Sequence, residues 1–360
     1  MSEWKKVKFL DFIVLQRGFD LTKDSIKDGP YPVVCSTSIM GYHNNYKVEG
    51  PGVVTGRSGT LGETQYVKCN FWPHNTTLFV KDFKGNNRQF VYYFLKNFDI
   101  ASMGGGAAIP SLNRNVLSNL SVTIPDLSIQ NNIASILSRY DSLIENYQKQ
   151  IKLLEEAAQR LYKEWFVDLH FPGHENTKIV DGVPEGWEKK KLVEIAELKA
   201  GGDKPEIVSA KRTNECSVPI FSNGTTNEGL YGYTNLPVIV EQSVTISARG
   251  SVGYTELRRT PFVPIVRLIS VTPHNIYVGY IFYCLKSTTL DSNGAAQQQI
   301  TIPMIRNKEI TIPSKGILEL FESQTEPFFN QIDILKEQIR LLTEARDRLL
   351  PKLMSGEIDV

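Results

Sequence analysis

With 360 residues the chain has room for two globular domains plus connecting structure, and a composition 41% hydrophobic and 22% charged suits a folded, water-exposed protein. No apolar stretch approaches the ~18 residues of a membrane span, and the opening MSEWKKVKFLDF has no apolar leader core, so a cytoplasmic protein without membrane segments is expected. The net charge of +1 by itself points to no nucleic acid, and Cys35, Cys69, Cys216 and Cys284 are scattered without a CxxC pair, as befits buried thiols in a reducing compartment.

Residues 1–125 read as a first mixed α/β head. Short runs at Gly52–Thr55 and Thr77–Val80 look like strands, Arg88–Lys96 like an aromatic helix, and Gly41–Asn45 like a turn. The loops are rich in amides and hydroxyls, as in Tyr42-His43-Asn44-Asn45 and Asn113-Arg114-Asn115. Arg57-Ser58-Gly59-Thr60-Leu61-Gly62 follows a strand directly. Gly104–Gly106 lies in no strand–glycine–helix unit, so it is read as a backbone turn and not as a phosphate cradle.

Residues 126–166 carry apolar or small side chains at Ile133, Leu137, Tyr140, Ile144, Tyr147, Ile151, Leu154, Ala158, Leu161 and Trp165, spaced alternately four and three. This is a heptad seam, and Asp126 or Ser128 can cap its start. Residues 167–186, with Pro172, Gly173, Gly182, Pro184 and Gly186, form a linker. A second head is expected over 187–313, with strands at Pro237–Val240, Ser243–Ile246 and Val263–Ile269 and an aromatic helix at Tyr277–Lys286. Its polar loops are Ser222–Gly229, which includes Asn223 and Thr225, Arg249-Gly250-Ser251-Val252-Gly253, and Gln297-Gln298-Gln299. Residues 314–360 repeat the seam at Phe321, Phe328, Ile332, Leu335, Ile339, Leu342, Leu349 and Leu353. The seam departs at Thr325 and Arg346, and Pro327 suggests that the helix proper starts near Phe328.

The second half is a copy of the first. Residues 144–161 (IENYQKQIKLLEEAAQRL) return 188 positions later as IDILKEQIRLLTEARDRL, and Val122–Pro125 returns as Ile310–Pro313. Each seam needs a partner, and duplication supplies one. The expected fold class is therefore α+β: two mixed α/β recognition domains, related by a pseudo-twofold axis, joined by two long helices in an antiparallel coiled coil.

Charge follows this division. Residues 1–125 hold 14 Lys and Arg against 9 Asp and Glu, and residues 187–313 hold 14 against 11, whereas the remaining segments hold 12 against 19. A polyanion is drawn to the heads and repelled by the helices and linker.

No catalytic, cofactor-binding or metal-binding residue emerges. There is no GxxxxGK[ST] loop, HExxH, zinc spacing, Rossmann fingerprint or Asn/Asp-Pro-Pro-aromatic motif. His170 and His174 straddle Pro172 and read as a linker turn, and Cys69 with His74 is no better a metal pair. The candidate DNA-contacting residues are Asn44, Asn45, Arg57, Ser58, Asn113 and Arg114 in the first head, with Asn223, Thr225, Arg249, Ser251, Gln297 and Gln298 in the second. An arginine beside small residues can grip phosphate or read guanine N7 and O6, and amides suit adenine; the same residues also suit ordinary turns and surface ion pairs. Beyond the seams, Ile136, Leu143, Leu153, Phe166, Leu341 and Leu350 form an apolar stripe suited to a helical partner, and the duplication predicts two equivalent docking sites.

Taken together, the two heads opening near Trp4 and Trp187, the VTIP and ITIP strands, the two IxLLxEAxxRL helices and the closing RLLPKLMSGEI resemble the specificity subunit of type I restriction–modification enzymes over nearly the whole chain. The resemblance implies a non-catalytic reader of double-stranded DNA, each head taking one half of a bipartite asymmetric site and the helices setting the spacer. It also implies two modification subunits carrying S-adenosylmethionine-dependent methyltransferase activity, and restriction subunits using ATP and Mg²⁺, with no cofactor on this chain. The rival reading from the residues alone is a coiled-coil scaffold with two heads for ligands other than DNA. A catalytic enzyme cut short is disfavoured by the absent motifs.

Overall fold

The computed structural model describes residues 4–58, 60–99, 117, 120–288 and 299–360. Its contacts divide the chain into two units, Met1–Lys149 with Lys336–Val360, and Gln150–Leu335.

In the first unit β1 (Lys5–Lys8) leads through a helical turn, Phe9–Phe12, into β2 (Val14–Arg17). Then come β3 (Tyr31–Val34), β4 (Ile39–His43), β5 (Gly52–Gly56), β6 (Thr64–Val67), β7 (Trp72–Pro73), β8 (Thr77–Asp82) and, after the aromatic helix Arg88–Asn97, β9 (Ser121–Ile124). These make a four-stranded sheet in the order β2-β8-β5-β6, a three-stranded sheet β4-β3-β7, and the antiparallel pair β1-β9. Strand β5 is buried throughout, which suits its Val-Val-Thr core, and it is flanked by β8 and β6. The aromatic helix is capped by Asn87, whose side chain accepts the Phe90 N–H at 2.9 Å. Its Phe90, Tyr93 and Leu95 share one core with Phe9, Phe12, Ile133 and Leu137 of the first long helix, and Leu350 and Leu353 of the second.

The second unit opens with the small hairpin β10 (Ile179–Val180) and β11 (Val183–Pro184) and then repeats this order. Its strands are β12 (Glu188–Lys191), β13 (Ala196–Ala200), β14 (Val218–Phe221), β15 (Leu230–Thr234), β16 (Ser243–Ile246), β17 (Thr255–Arg258), β18 (Val263–Pro264), β19 (Ile269–Pro273) and β20 (Glu309–Ile312). The sheets are β13-β19-β16-β17, β15-β14-β18 and β12-β20, each the counterpart of one in the first unit. The aromatic helix Val278–Lys286 packs with Tyr162 and Trp165 of the first long helix and with Phe321, Phe329 and Ile332 of the second.

The first long helix, Leu127–Tyr162, is capped by Asp126, whose carboxylate accepts the Ile129 N–H at 3.0 Å. A wider turn, Lys163–Val167, extends it. The second helix, Lys315–Ser355, runs unbroken through Pro327, so it does not begin near Phe328 as expected. Phe321 and Thr325 are fully buried before the proline and Phe329 and Ile332 are buried after it, and packing on both sides outweighs the lost backbone bond. Within the first unit the two helices run in opposite directions. Arg346 pairs with Asp141, while the later residues Leu350 and Leu353 share a core with the earlier Ile133 and Leu137.

Two strand expectations fail. Pro237–Val240 pairs only through an isolated bridge from Ile239 to Phe262, Pro237 having no N–H to give. Val263–Ile269 is broken by a turn at Val266-Arg267, where both residues adopt positive φ. The expected exposed stripe is also corrected. Leu143, Leu153 and Leu341 are exposed, but Leu350 is buried and Ile136 packs against the first core. Phe166 lies within ring contact of Trp187, Tyr280 and Phe321, because the bulkiest apolar side chains are consumed by the chain's own heads. Among the described residues no helix is long and apolar enough to cross a membrane.

Candidate nucleic-acid interface

In each head three loops converge where the strand ends meet. In the first head, Gly56 closes β5, and a Cβ there would lie 2.0 Å from the Thr60 carbonyl oxygen, so only glycine lets the loop fold back so tightly. Arg57 and Ser58 follow, and both backbone N–H groups donate to the Thr76 carbonyl, at 2.9 and 3.1 Å. The Ser36 hydroxyl, just beyond β3, bonds the same carbonyl at 2.7 Å and lies 3.1 Å from the Ser58 carbonyl. The Arg57 guanidinium donates to the Asn75 carbonyl at 3.3 Å, and the Asn75 side chain donates to Asp20, which also pairs with Arg17 at 3.4 Å. Arg57 is thus half-buried and partly committed, with donors left over.

In the second head Asn223 occupies the place of Ser36. Its amide nitrogen donates to the Val266 carbonyl at 2.6 Å and its oxygen accepts the Ala248 N–H at 2.7 Å. One side chain therefore ties together the loop after β14, the loop after β16 and the turn between β18 and β19. Arg249 is exposed, and its guanidinium donates to Gln299 at 3.4 Å.

By sequence alone Arg57–Gly62 faces Arg249–Gly253, and the hydrogen bonds correct that register by one residue. The Gly62 N–H donates to the Gly56 carbonyl as the Gly253 N–H does to the Ser247 carbonyl, and the Gly56 N–H donates to the Glu63 carbonyl as the Ser247 N–H does to the Tyr254 carbonyl. Arg57 therefore corresponds to Ala248, and Arg249 to Ser58. The two arginines occupy adjacent, not identical, positions of loops of equal length.

Asn44 and Asn45 are exposed just beyond β4, where the Asn45 side chain accepts the Tyr46 N–H at 2.8 Å in a local turn. Neighbouring His43, by contrast, is buried, its Nδ1 accepting the Lys27 N–H at 3.0 Å. Thr225 is exposed and Ser251 half-buried. Asn113, Arg114, Gln297 and Gln298 lie outside the described residues.

Buried Arg258 gave no sequence signal, since it reads as one of many basic residues in a strand. Its Nε donates to the Thr245 hydroxyl at 3.0 Å, its Nη2 to the Glu228 carbonyl at 2.6 Å, and its plane lies 3.6 Å over the Phe221 ring. It anchors the Thr225–Gly229 loop, in which Asn227 and Glu228 both have positive φ. Burial lowers its pKa, the nearby Glu256 and Glu228 carboxylates opposing that shift.

Among the described residues no three His, Cys, Asp or Glu side chains are grouped to hold a metal. His170 and His174 do come within 5.3 Å ring to ring, but the His174 Nδ1 is bonded to the Phe171 carbonyl at 2.9 Å as part of the linker turn.

The sequence and its fold find counterparts among known proteins. The chain is 30% identical over 300 residues, 76% of its own length and 69% of the relative's, to the type I restriction enzyme MjaIX specificity subunit of Methanocaldococcus jannaschii. It is 26% identical over 359 residues, 94% of the chain and 95% of the relative, to the putative type I specificity subunit S.MpnORF507P of Mycoplasma pneumoniae. Its fold matches the crystal structure of a type I restriction–modification system S subunit from M. genitalium with a TM-score of 0.64 at 20% identity, covering 98% of this chain and 96% of that one. The sequence model of the family described as "Type I restriction modification DNA specificity domain" matches residues 1–156 and 184–344, one match in each half, and the chain belongs to that family of specificity subunits.

Proposed function

We propose that the chain reads a bipartite, asymmetric double-stranded DNA site in the cytoplasm, one half-site per head, and catalyses nothing itself. The observation that carries this reading is the repeated three-loop junction. Its backbone framework recurs in both heads while its side chains differ, as two readers of unlike sequences require. The positive balance of each head supports it, since a phosphate backbone is attracted there.

The paired helices set the spacer and dock two methyltransferase subunits, which carry S-adenosylmethionine. Restriction subunits supply ATP- and Mg²⁺-dependent cleavage. On the first long helix, exposed Leu153 shares a face with Glu156, Arg160, Lys163 and exposed Val167, at positions three and four apart. Four of those residues, together with Tyr283 and Lys286, line a cavity of about 460 Å³, which suits a side chain of a partner helix.

Selection from a randomised duplex library by the full chain with its methyltransferase partner tests the reading, and a two-part motif is expected. Arg57→Ala should weaken one part, by ~1–3 kcal/mol if the contact is bidentate to guanine, and Arg249→Ala the other part only. Uniform weakening with a reduced salt slope would make each arginine a phosphate clamp. Absence of salt-dependent DNA binding would favour a scaffold with heads for other ligands.

A further inference from the structure

The turn between β18 and β19 is unlike its counterpart in the first head. In the first head the Thr77 N–H closes on the His74 carbonyl at 3.0 Å around Asn75 and Thr76, neither of which is left-handed. In the second head the Leu268 N–H closes on the Ile265 carbonyl at 3.1 Å around Val266 and Arg267, with φ of 53° and 61°. A turn with both central residues left-handed ordinarily takes Asn-Gly, and a β-branched valine there is strained. The surroundings impose that conformation. Val266 and Arg267 donate their N–H groups to the carbonyls of Gly202 and Gly201, and Asn223 grips the Val266 carbonyl.

Burial does not account for the strain, because Val266 is 51% exposed. Nor does an internal ion pair, since the exposed Arg267 guanidinium has no partner among the described residues. A strained turn held by three neighbours, projecting an apolar group and a free cation beside the Arg249 loop, is organised toward something outside the chain. The cation and the head's basic balance favour a nucleic acid over a protein surface.

Resting on the reading of the heads as DNA-binding, we propose that Val266-Arg267 is a base-reading tip of the second head, the valine methyls against a thymine methyl and the guanidinium on guanine N7 and O6. The left-handed conformation of this turn has no counterpart in the first head's junction, so it accounts for one difference between the two half-sites.

Val266→Asn accepts the left-handed conformation and removes the methyls, and Arg267→Ala removes the fork. In the randomised-duplex selection with the full chain and its methyltransferase partner, each variant should lose at least tenfold discrimination at one or more base pairs of a single half-site. The lost preference should be for T·A with Val266→Asn and for G·C with Arg267→Ala, while the other half-site is unchanged. Val266→Asn should melt at or above the wild-type temperature, since strain is relieved. The proposal is overturned if both variants select the wild-type motif, if both half-sites change together, or if Val266→Asn melts lower, which would make the valine a structural residue. A wild-type chain that selects no motif would instead overturn the DNA-reading function and take this inference with it.

Discussion

Arg346 replaces an apolar residue on the second seam, yet it is largely buried and pairs with Asp141 at 2.6 Å. Asp141 also accepts the Tyr93 hydroxyl, whose pKa is raised by burial first and by that bond second. Thr325, the other departure, is fully buried and donates to the Phe321 carbonyl at 2.8 Å. Arg346 thus sits against a carboxylate of the other helix, and the Thr325 hydroxyl also lies 3.1 Å from that of Tyr277 in the second head; a heptad count cannot reveal either neighbour because each lies on another element. Arg346→Leu should cost about 2 kcal/mol, since it strands a partly buried carboxylate. Adding Asp141→Asn should recover most of that loss, since it removes the unpaired charge and keeps an acceptor for the buried Tyr93 hydroxyl; urea unfolding of the two variants measures it.

The long helices, the aromatic helices and most strands were legible as elements because period and capping are local properties. The Val266-Arg267 turn was not, because its residues are strand formers forced left-handed by Asn223 and by the backbone after β13. Likewise, nothing local could show that Pro327 would be carried within a helix; the buried residues on either side decide that. Exposed Pro327 leaves the Ser323 carbonyl without its usual donor. Pro327→Ala should therefore raise stability by about 1–3 kcal/mol, visible as a higher melting temperature. The same helix stops at Gly356, whose φ is 74° and where a Cβ would lie 2.9 Å from the Trp4 indole nitrogen, so the sequence run RLLPKLMSGEI encodes both a helix end and a seat for the first tryptophan.

For the whole molecule the duplication was legible at once, but its alignment in the heads was not, since one residue of slip between Arg57 and Arg249 is invisible without hydrogen bonds. Leu153→Glu combined with Leu341→Glu should abolish co-purification with the methyltransferase subunits while the heads stay folded. Native mass spectrometry decides it, and an intact two-to-one complex would place docking elsewhere. One repeated contact carries a further consequence. The residue after β6, Lys68, pairs with Glu145 of the first helix, and the residue after β17, Arg259, pairs with Glu326 and Asp333 of the second. Glu145 and Asp333 stand at equivalent helix positions, 188 apart. Each head therefore offers a cation to an anion on its helix in the same polarity, whatever its loops read. A recombination event that exchanged one head for another would find the helical socket already charged for it, so heads can be exchanged without remaking the seam.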